Sequence, residues 1–296
     1  MSSVIAVDLG GTKLTTAVVD PAGRVTARRK QPVEHGGLEV TVAQIAAGVR
    51  ETLAASPAAD VQAVGLIIPG IFDASTGSGW APNLWGHDHV PLLSALRTAL
   101  DLPVTIDSDR AGYVLGEQWL GAARGCNDVI FLAVGTGIGA GILSGGRLIN
   151  GAGGIAGAVG WFALNPQSRE EYNRVGCWEA ESAGPALARR LHAASGEEVV
   201  AAARRGDAAA LAAIEENARY LGLGIANLVS VLNPEMIVLG GGLMQAGDLF
   251  LPAIRQVLPL WAQPVSARQV RIELTQLGED AGLLGAARLA LNTIGI

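Results

Sequence analysis

Cysteine is scarce: Cys126 and Cys177 are the only two in 296 residues. Two are too few for a disulfide framework, and a reducing compartment is the simplest setting. Charge is sparse as well, at 16% of residues, and basic charge is in the minority. Lys and Arg number 21 against 27 Asp and Glu, a formal net charge of −6. Such a chain has no general pull toward polyanions, which excludes a non-specific nucleic-acid binder. No apolar run approaches 20 residues without a glycine or polar break, so no membrane span is expected. The opening Met1-Ser2-Ser3-Val4 has neither a basic region nor a long apolar region. A secretory leader is therefore not expected, and the expected location is the cytoplasm. What the chain has in quantity is apolar residues, at 50%, and glycine, at 40 residues. The first excludes global disorder. The second is too much for a helical bundle and points to many turns, or to backbone that approaches a ligand closely. The length suits one large or two ordinary domains.

The order of elements is informative. An apolar run from Val4 to Val7 ends at Asp8 and reads as a buried strand. The turn Gly10-Gly11-Thr12-Lys13 follows, then a strand from Thr15 to Val19, a turn at Asp20-Pro21-Ala22-Gly23 and a third strand from Arg24 to Arg29. Short glycine-rich turns between strands make an antiparallel meander. Helices are expected over 38–56, 91–100 and 110–122, and strands over Val61–Ile68 and Val104–Ile106. Residues 71–90 read as a long loop, and long loops in compact domains are often functional. The pattern then restarts. Val129–Val134, Ala140–Leu143 and Arg147–Asn150 repeat the strand, turn, strand, turn, strand layout. Helices over 181–194, 208–231 and 280–293 and strands over Met236–Leu239 and Val270–Leu274 complete the reading.

Glycine-rich turns after buried strands suit phosphate binding. The bare backbone points N–H groups at the anion, and a threonine hydroxyl adds a donor. Lys13 reaches the same anion as a point charge, and Asp8 can hold Mg²⁺ through water. A hairpin turn with no ligand is the plain alternative for either loop alone. Two matching loops in a duplicated layout, with a third run at Gly240-Gly241-Gly242, weigh against it. Gly135 to Gly141 superficially matches a dinucleotide fingerprint, but a strand rather than a helix follows it. The spacing of a Walker P-loop is absent.

Asp8-Leu9-Gly10-Gly11-Thr12-Lys13, Gly135-Thr136-Gly137-Ile138-Gly139 and Gly240-Gly241-Gly242 together resemble the ROK family of sugar kinases and repressors, within the actin/hexokinase-like phosphotransferases. Ala81-Pro82-Asn83-Leu84, Asp107-Ser108-Asp109, Gly154-Ile155-Ala156-Gly157 and Ala281-Gly282-Leu283-Leu284-Gly285-Ala286-Ala287 extend the resemblance over essentially the whole chain. The resemblance implies an α/β, two-lobed, duplicated actin-like or ribonuclease H-like fold with a central cleft. Residues 1–115 with the closing helix 280–296 would form the N-terminal lobe, and 116–279 the nucleotide-binding lobe. It also implies ATP and Mg²⁺ as cofactors and a small sugar as partner, with lobe closure excluding water and a homodimer as the assembly. The expected reaction is transfer of the γ-phosphate to a hexose hydroxyl, the 6-OH, on glucose or a modified hexose. Polyphosphate is an alternative donor, although no basic channel demands it. Family repressors carry an extra N-terminal DNA-binding domain, and Asp8 stands almost at the start of this sequence, which favours a kinase. A sensor without activity, built on the same scaffold, is the competing reading.

By the same resemblance, Asp8, Gly10, Gly11, Thr12 and Lys13 handle phosphate and metal. Thr136, Gly137 and Gly139 hold the nucleotide phosphates, and Gly240, Gly241 and Gly242 meet the nucleoside. Asp109 takes the acceptor proton, and Asp107 is the weaker candidate for that role. Asp109 is also a plausible helix N-cap. Asn83, Ser108, Glu179 and Trp161 would position the sugar. The sequence departs from the family at two places. Where the family reads Glu-Ile-Gly-His, this chain has Ala158-Val159-Gly160-Trp161, so two polar groups for the sugar are gone. Of the family's zinc motif only Gly176-Cys177-Trp178-Glu179 survives. A single cysteine cannot make a four-ligand zinc site, so no zinc is expected, and Cys126 reads as a small buried hydrophobe. His87 and His89 read as surface loop residues. Trp80, Trp85, Trp161 and Trp178 are expected near one cleft, where indole faces suit sugar rings.

Overall fold

The computed structural model describes residues 2–296. Two compact units are present. The first comprises residues 1–125, 150–155 and 279–296, and the second comprises 126–149 and 156–278.

Strand β1 (Ser2–Leu9) is apolar and buried from Val4 to Val7 without alternation, as a strand covered on both faces must be. It pairs antiparallel with β2 (Lys13–Val19), which pairs antiparallel with β3 (Val25–Pro32). On its other side β1 runs parallel to β4 (Asp60–Ile68). Residues 71–80 form a hairpin of β5 (Ile71–Asp73) and β6 (Ser78–Trp80). Strand β7 (Val104–Ser108) runs parallel to β4 and completes the five-stranded order β3-β2-β1-β4-β7. Strand β3 sits at the edge, and its consecutive exposed Arg28, Arg29 and Lys30 suit an edge that must not pair further.

The second unit repeats this plan. Strands β8 (Val129–Val134), β9 (Ile138–Ser144) and β10 (Arg147–Leu148) form the meander. Strands β11 (Met236–Gly240) and β12 (Arg271–Leu274) add on in parallel, giving the order β10-β9-β8-β11-β12. Each position in one sheet has its counterpart in the other, so the duplication read from the sequence is real at the level of topology.

The helix Asp280–Thr293 returns to the first unit and crosses the helix Asp109–Leu120 at very short range. A Cβ added at Gly285 would lie 1.8 Å from the Gly112 carbonyl oxygen, and one at Gly116 would lie 2.3 Å from that of Ala281. Only glycine lets these two backbones touch, and the contact fixes the helix that begins at Asp109.

The structure revises several local expectations. Residues 181–194 are not one helix. Cys177–Ser182 and Gly184–Arg190 are separate, broken at Ala183 ahead of Pro185. The stretch 71–90 is not an unbroken loop, for it holds the β5–β6 hairpin and a short turn of helix at Pro82–Trp85. Gly247–Trp261 is helical despite Pro252 and Pro259, because its apolar face is buried on Ala208–Leu232. Among the described residues no helix is long and apolar enough to cross a membrane.

Candidate active site

In the first unit the chemistry collects at the carboxyl ends of parallel strands, the usual place for ligands in open α/β sheets. The register aligns Asp8 on β1 with Ile67 on β4, and Ile67 with Asp107 on β7. The turn after β1 is closed by the Gly10 N–H donating to the Lys13 carbonyl at 2.8 Å. It leaves Thr12 and Lys13 exposed.

The carboxylates at the end of β7 divide their tasks. Asp107 is spoken for: one oxygen accepts the Ser108 N–H at 2.7 Å, and the other accepts the Asn150 amide at 3.0 Å. Burial raises its pKa. Asp109 accepts backbone N–H groups, that of Arg110 at 2.8 Å on Oδ1 and its own. Burial pushes Asp109 up to about 6. Asp8 is pushed up to about 7, first by burial and then by the charge of Asp109, against the opposing pull of Lys30. Two carboxyl groups that repel ionisation of each other sit together here, each shifted toward neutrality. The Asp8 carboxylate is also a near neighbour of Gly282, where an added Cβ would lie 2.8 Å from its Oδ2. The helix N-cap is Ser108, not Asp109. The Ser108 hydroxyl accepts the Ala111 N–H at 3.3 Å, and Asp109 is the first helical residue. Serine is among the favoured caps, so Asp109 is not needed in that role.

Asn83, His87 and His89 are exposed, and Trp80 donates its indole N–H to the His87 carbonyl at 3.2 Å.

In the second unit the turn between β8 and β9 mirrors the first. The Gly135 N–H donates to the Gly137 carbonyl at 2.9 Å, and the Gly184 N–H donates to the Gly135 carbonyl at 2.7 Å. Thr136 is exposed. A cavity of about 610 Å³ opens beside this turn, lined by Gly135, Thr136, Gly184, Arg189, Ser195 and Gly242 among others. Gly139 does not line it, being paired within β9 opposite Ala133. Gly240 and Gly241 stand just behind. An added Cβ at Gly240 would lie 2.3 Å from the Phe131 ring, and one at Gly241, whose φ is +91°, 2.5 Å from the Val134 carbonyl. The sequence reading missed Gly184, Arg189, Ser195, Gly196 and Glu197. A signal was present, since Ser195 followed by acidic residues is a helix-start pattern, and its hydroxyl accepts the Glu198 N–H at 3.3 Å.

Glu179 accepts the Ile138 N–H at 2.7 Å, directly after the Gly135–Gly137 turn. Burial raises its pKa. Its carboxylate sits against Gly137, where an added Cβ would lie 2.8 Å from Oε2. Trp161 is 57% exposed, at the end of the turn Val159–Trp161.

Trp178 is a correction. It is fully buried, stacks on Phe162 with centroids 5.6 Å apart and donates its indole N–H to the Tyr220 carbonyl at 3.0 Å. It is a core anchor and offers no face to a ligand. Cys126 and Cys177 are buried and unpaired as a disulfide, and Cys126 takes a contact from Arg271 at 3.0 Å.

A duplicated α/β scaffold with a glycine turn after the first strand of each half, and shifted carboxylates at one strand end, defines a phosphotransferase class. The chain belongs to the ROK family, whose sequence model matches residues 4–293. It is 31% identical to a glucokinase of Halalkalibacterium halodurans, over 96% of this chain and 94% of that one. It is 34% identical to an N-acetylmannosamine kinase of Escherichia fergusonii, over 97% and 98%. Among solved structures, a ROK glucokinase of Streptomyces griseus in complex with glucose and AMPPNP is 32% identical. It superposes with a TM-score of 0.76, covering 98% of this chain and 99% of that one.

Proposed function

We propose that the protein is an ATP-dependent sugar kinase that phosphorylates the 6-hydroxyl of glucose or an amino-hexose, with Asp109 accepting the hydroxyl proton. The observation that carries the reading is the contrast within Asp107-Ser108-Asp109. Asp107 has one oxygen on the Ser108 N–H and the other on the Asn150 amide, whereas the hydrogen bonds shown for Asp109, a carboxyl group titrating near 6, come from local backbone N–H groups. A base with a pKa just below working pH is largely ionised yet still basic enough to take a proton.

Asn83, Ser108, Glu179 and Trp161 position the acceptor. Trp161 supplies an apolar face where a polar group would otherwise stand. Thr12 and Lys13, with the backbone of Gly10 and Gly11, meet the transferred phosphoryl group. Thr136, Gly137 and Gly139 serve the nucleotide phosphates, and Gly240, Gly241 and Gly242 the nucleoside, beside the 610 Å³ cavity. The buried Asp8 carboxylate fits Mg²⁺. One carboxylate plus phosphate oxygens and water is a common magnesium donor set, and a cation there offsets the repulsion between Asp8 and Asp109. When bound, the ion neutralises phosphate charge. The protein works without zinc, in the cytoplasm, as a homodimer.

The test is an ADP-release assay with Mg²⁺ over glucose, mannose, N-acetylmannosamine and other amino-hexoses, with ATP or polyphosphate as donor. Sugar-dependent turnover that Asp109→Asn abolishes supports the reading. ATP binding with no turnover on any acceptor supports a sensor instead.

A further inference from the structure

The helix Cys177–Ser182 carries two glutamates, Glu179 and Glu181. Two residues apart on a helix are about 200° apart in direction, so they face opposite ways. Glu179 reaches Ile138 and packs closely on Gly137 and Gly160, where an added Cβ would lie 2.8 and 3.1 Å from its Oε2. Glu181 points into the protein, where its side chain is 4% exposed. There it accepts the Tyr172 hydroxyl in a short hydrogen bond and the Arg169 guanidinium at 2.9 Å, with Arg190 at 3.9 Å.

A six-residue helix has little stability of its own. Its carbonyls are tied down by the next helix: Arg189 donates to the Ala180 carbonyl at 2.6 Å and Arg190 to the Glu181 carbonyl at 3.1 Å. Trp178 on the same helix is fully buried, stacked on Phe162 and bonded to the Tyr220 carbonyl, and a smaller apolar cluster of Tyr172, Cys177 and Ala180 packs beside it. Burying a carboxylate adds nothing to stability that an apolar side chain of the same size could not supply. It does supply direction, because hydrogen bonds fix an angle where apolar contact does not. Burial and the Glu181 carboxylate both push the Tyr172 phenol upward, which keeps it a donor. The Arg169 guanidinium lies 5.5 Å over the Tyr172 ring and holds both partners in place.

We propose that Tyr172, Arg169 and Glu181 form a clasp that, together with the core anchor Trp178, sets the rotation of the helix Cys177–Ser182 and so positions Glu179 against Ile138 and the acceptor. These three are positioning residues. The inference rests on the reading of Glu179 as an acceptor ligand, and its test separates the two.

The experiment uses the full-length protein with Tyr172→Phe, Glu179→Ala and the double variant. Amide exchange at Ile138 is followed by NMR, and KM is measured for D-glucose and for ATP. Tyr172→Phe is expected to speed Ile138 exchange about tenfold, with the other β9 amides unchanged, and to raise the glucose KM about tenfold while the ATP KM stays within about twofold. In the Glu179→Ala background the same substitution is expected to add nothing to either readout. Glu181→Gln, which keeps shape and loses charge, is expected to act in the same direction. Unchanged Ile138 exchange in Tyr172→Phe overturns the clasp. So does faster exchange spread evenly over β9, or a full additional KM effect in the Glu179→Ala background. Fast Ile138 exchange in Tyr172→Phe, combined with an unmoved glucose KM in Glu179→Ala, upholds the clasp and overturns the acceptor role of Glu179.

Discussion

Replacing Asp109 by asparagine is expected to abolish turnover and to stabilise the protein at once. In the folded chain Asp109 titrates at about 6, against 3.8 for an unshifted aspartate, because burial disfavours its charge. The folded state therefore holds this proton more tightly than the unfolded state. Its stability contribution is intact below about pH 4 and is lost as pH rises through 6. The difference of about two pKa units corresponds to about 3 kcal/mol at full strength. Asp109 retains some contact with water, so a gain of about 1–3 kcal/mol is expected on removing its charge. Asparagine keeps the shape and cannot ionise. At pH 8 the Asp109→Asn protein should melt a few degrees above the parent. The gap should close toward pH 4. Over the same range kcat/KM of the parent should fall with a midpoint near 6 as pH drops, since protonated Asp109 is no base. Thermal melts from pH 4 to 8, run beside pH–rate profiles, read both. A variant that melts no higher at pH 8 than its parent, or that keeps its turnover, refutes the reasoning.

Four other substitutions probe the rest of the architecture. Gly285→Ala places a Cβ 1.8 Å from the Gly112 carbonyl. It should prise apart the helices Asp109–Leu120 and Asp280–Thr293, lowering stability by about 3 kcal/mol or more in denaturant titration. Ala194→Trp fills part of the 610 Å³ cavity from an exposed position. It should raise the ATP KM about tenfold or more with little change in the sugar KM, a split read by steady-state kinetics. Trp178→Ala removes the stacked, fully buried indole and should cost about 3–5 kcal/mol, whereas Trp161→Ala should leave Tm unchanged and weaken only acceptor binding.

Much of the fold was legible because its signals are local. The buried strand at Val4–Val7, the Gly10–Lys13 turn and their repetition at Val129 and Gly135 are written in consecutive residues. Each answers to turn chemistry or to burial on two faces. The break of 181–194 at Ala183 had a local signal in Pro185 that the helical spacing masked. The helix through Pro252 was not legible, because its packing on the helix Ala208–Leu232 overrides local propensity.

The sequence by itself determined the duplicated topology, the two glycine turns and the candidate residues Asp8, Asp109 and Glu179. Only the tertiary structure decided how their surroundings differ. Asp107 and Asp109 are the same residue type two positions apart. Asn150, far along the chain, bonds Asp107, whereas Asp109 takes the N–H of its neighbour Arg110. Trp161 and Trp178 are likewise the same residue type, yet one meets solvent and the other closes the core against Phe162. Hydrogen-bond partners, burial and the pKa shifts that follow are properties of neighbours in space. Those neighbours exist only once the sheets and helices have packed.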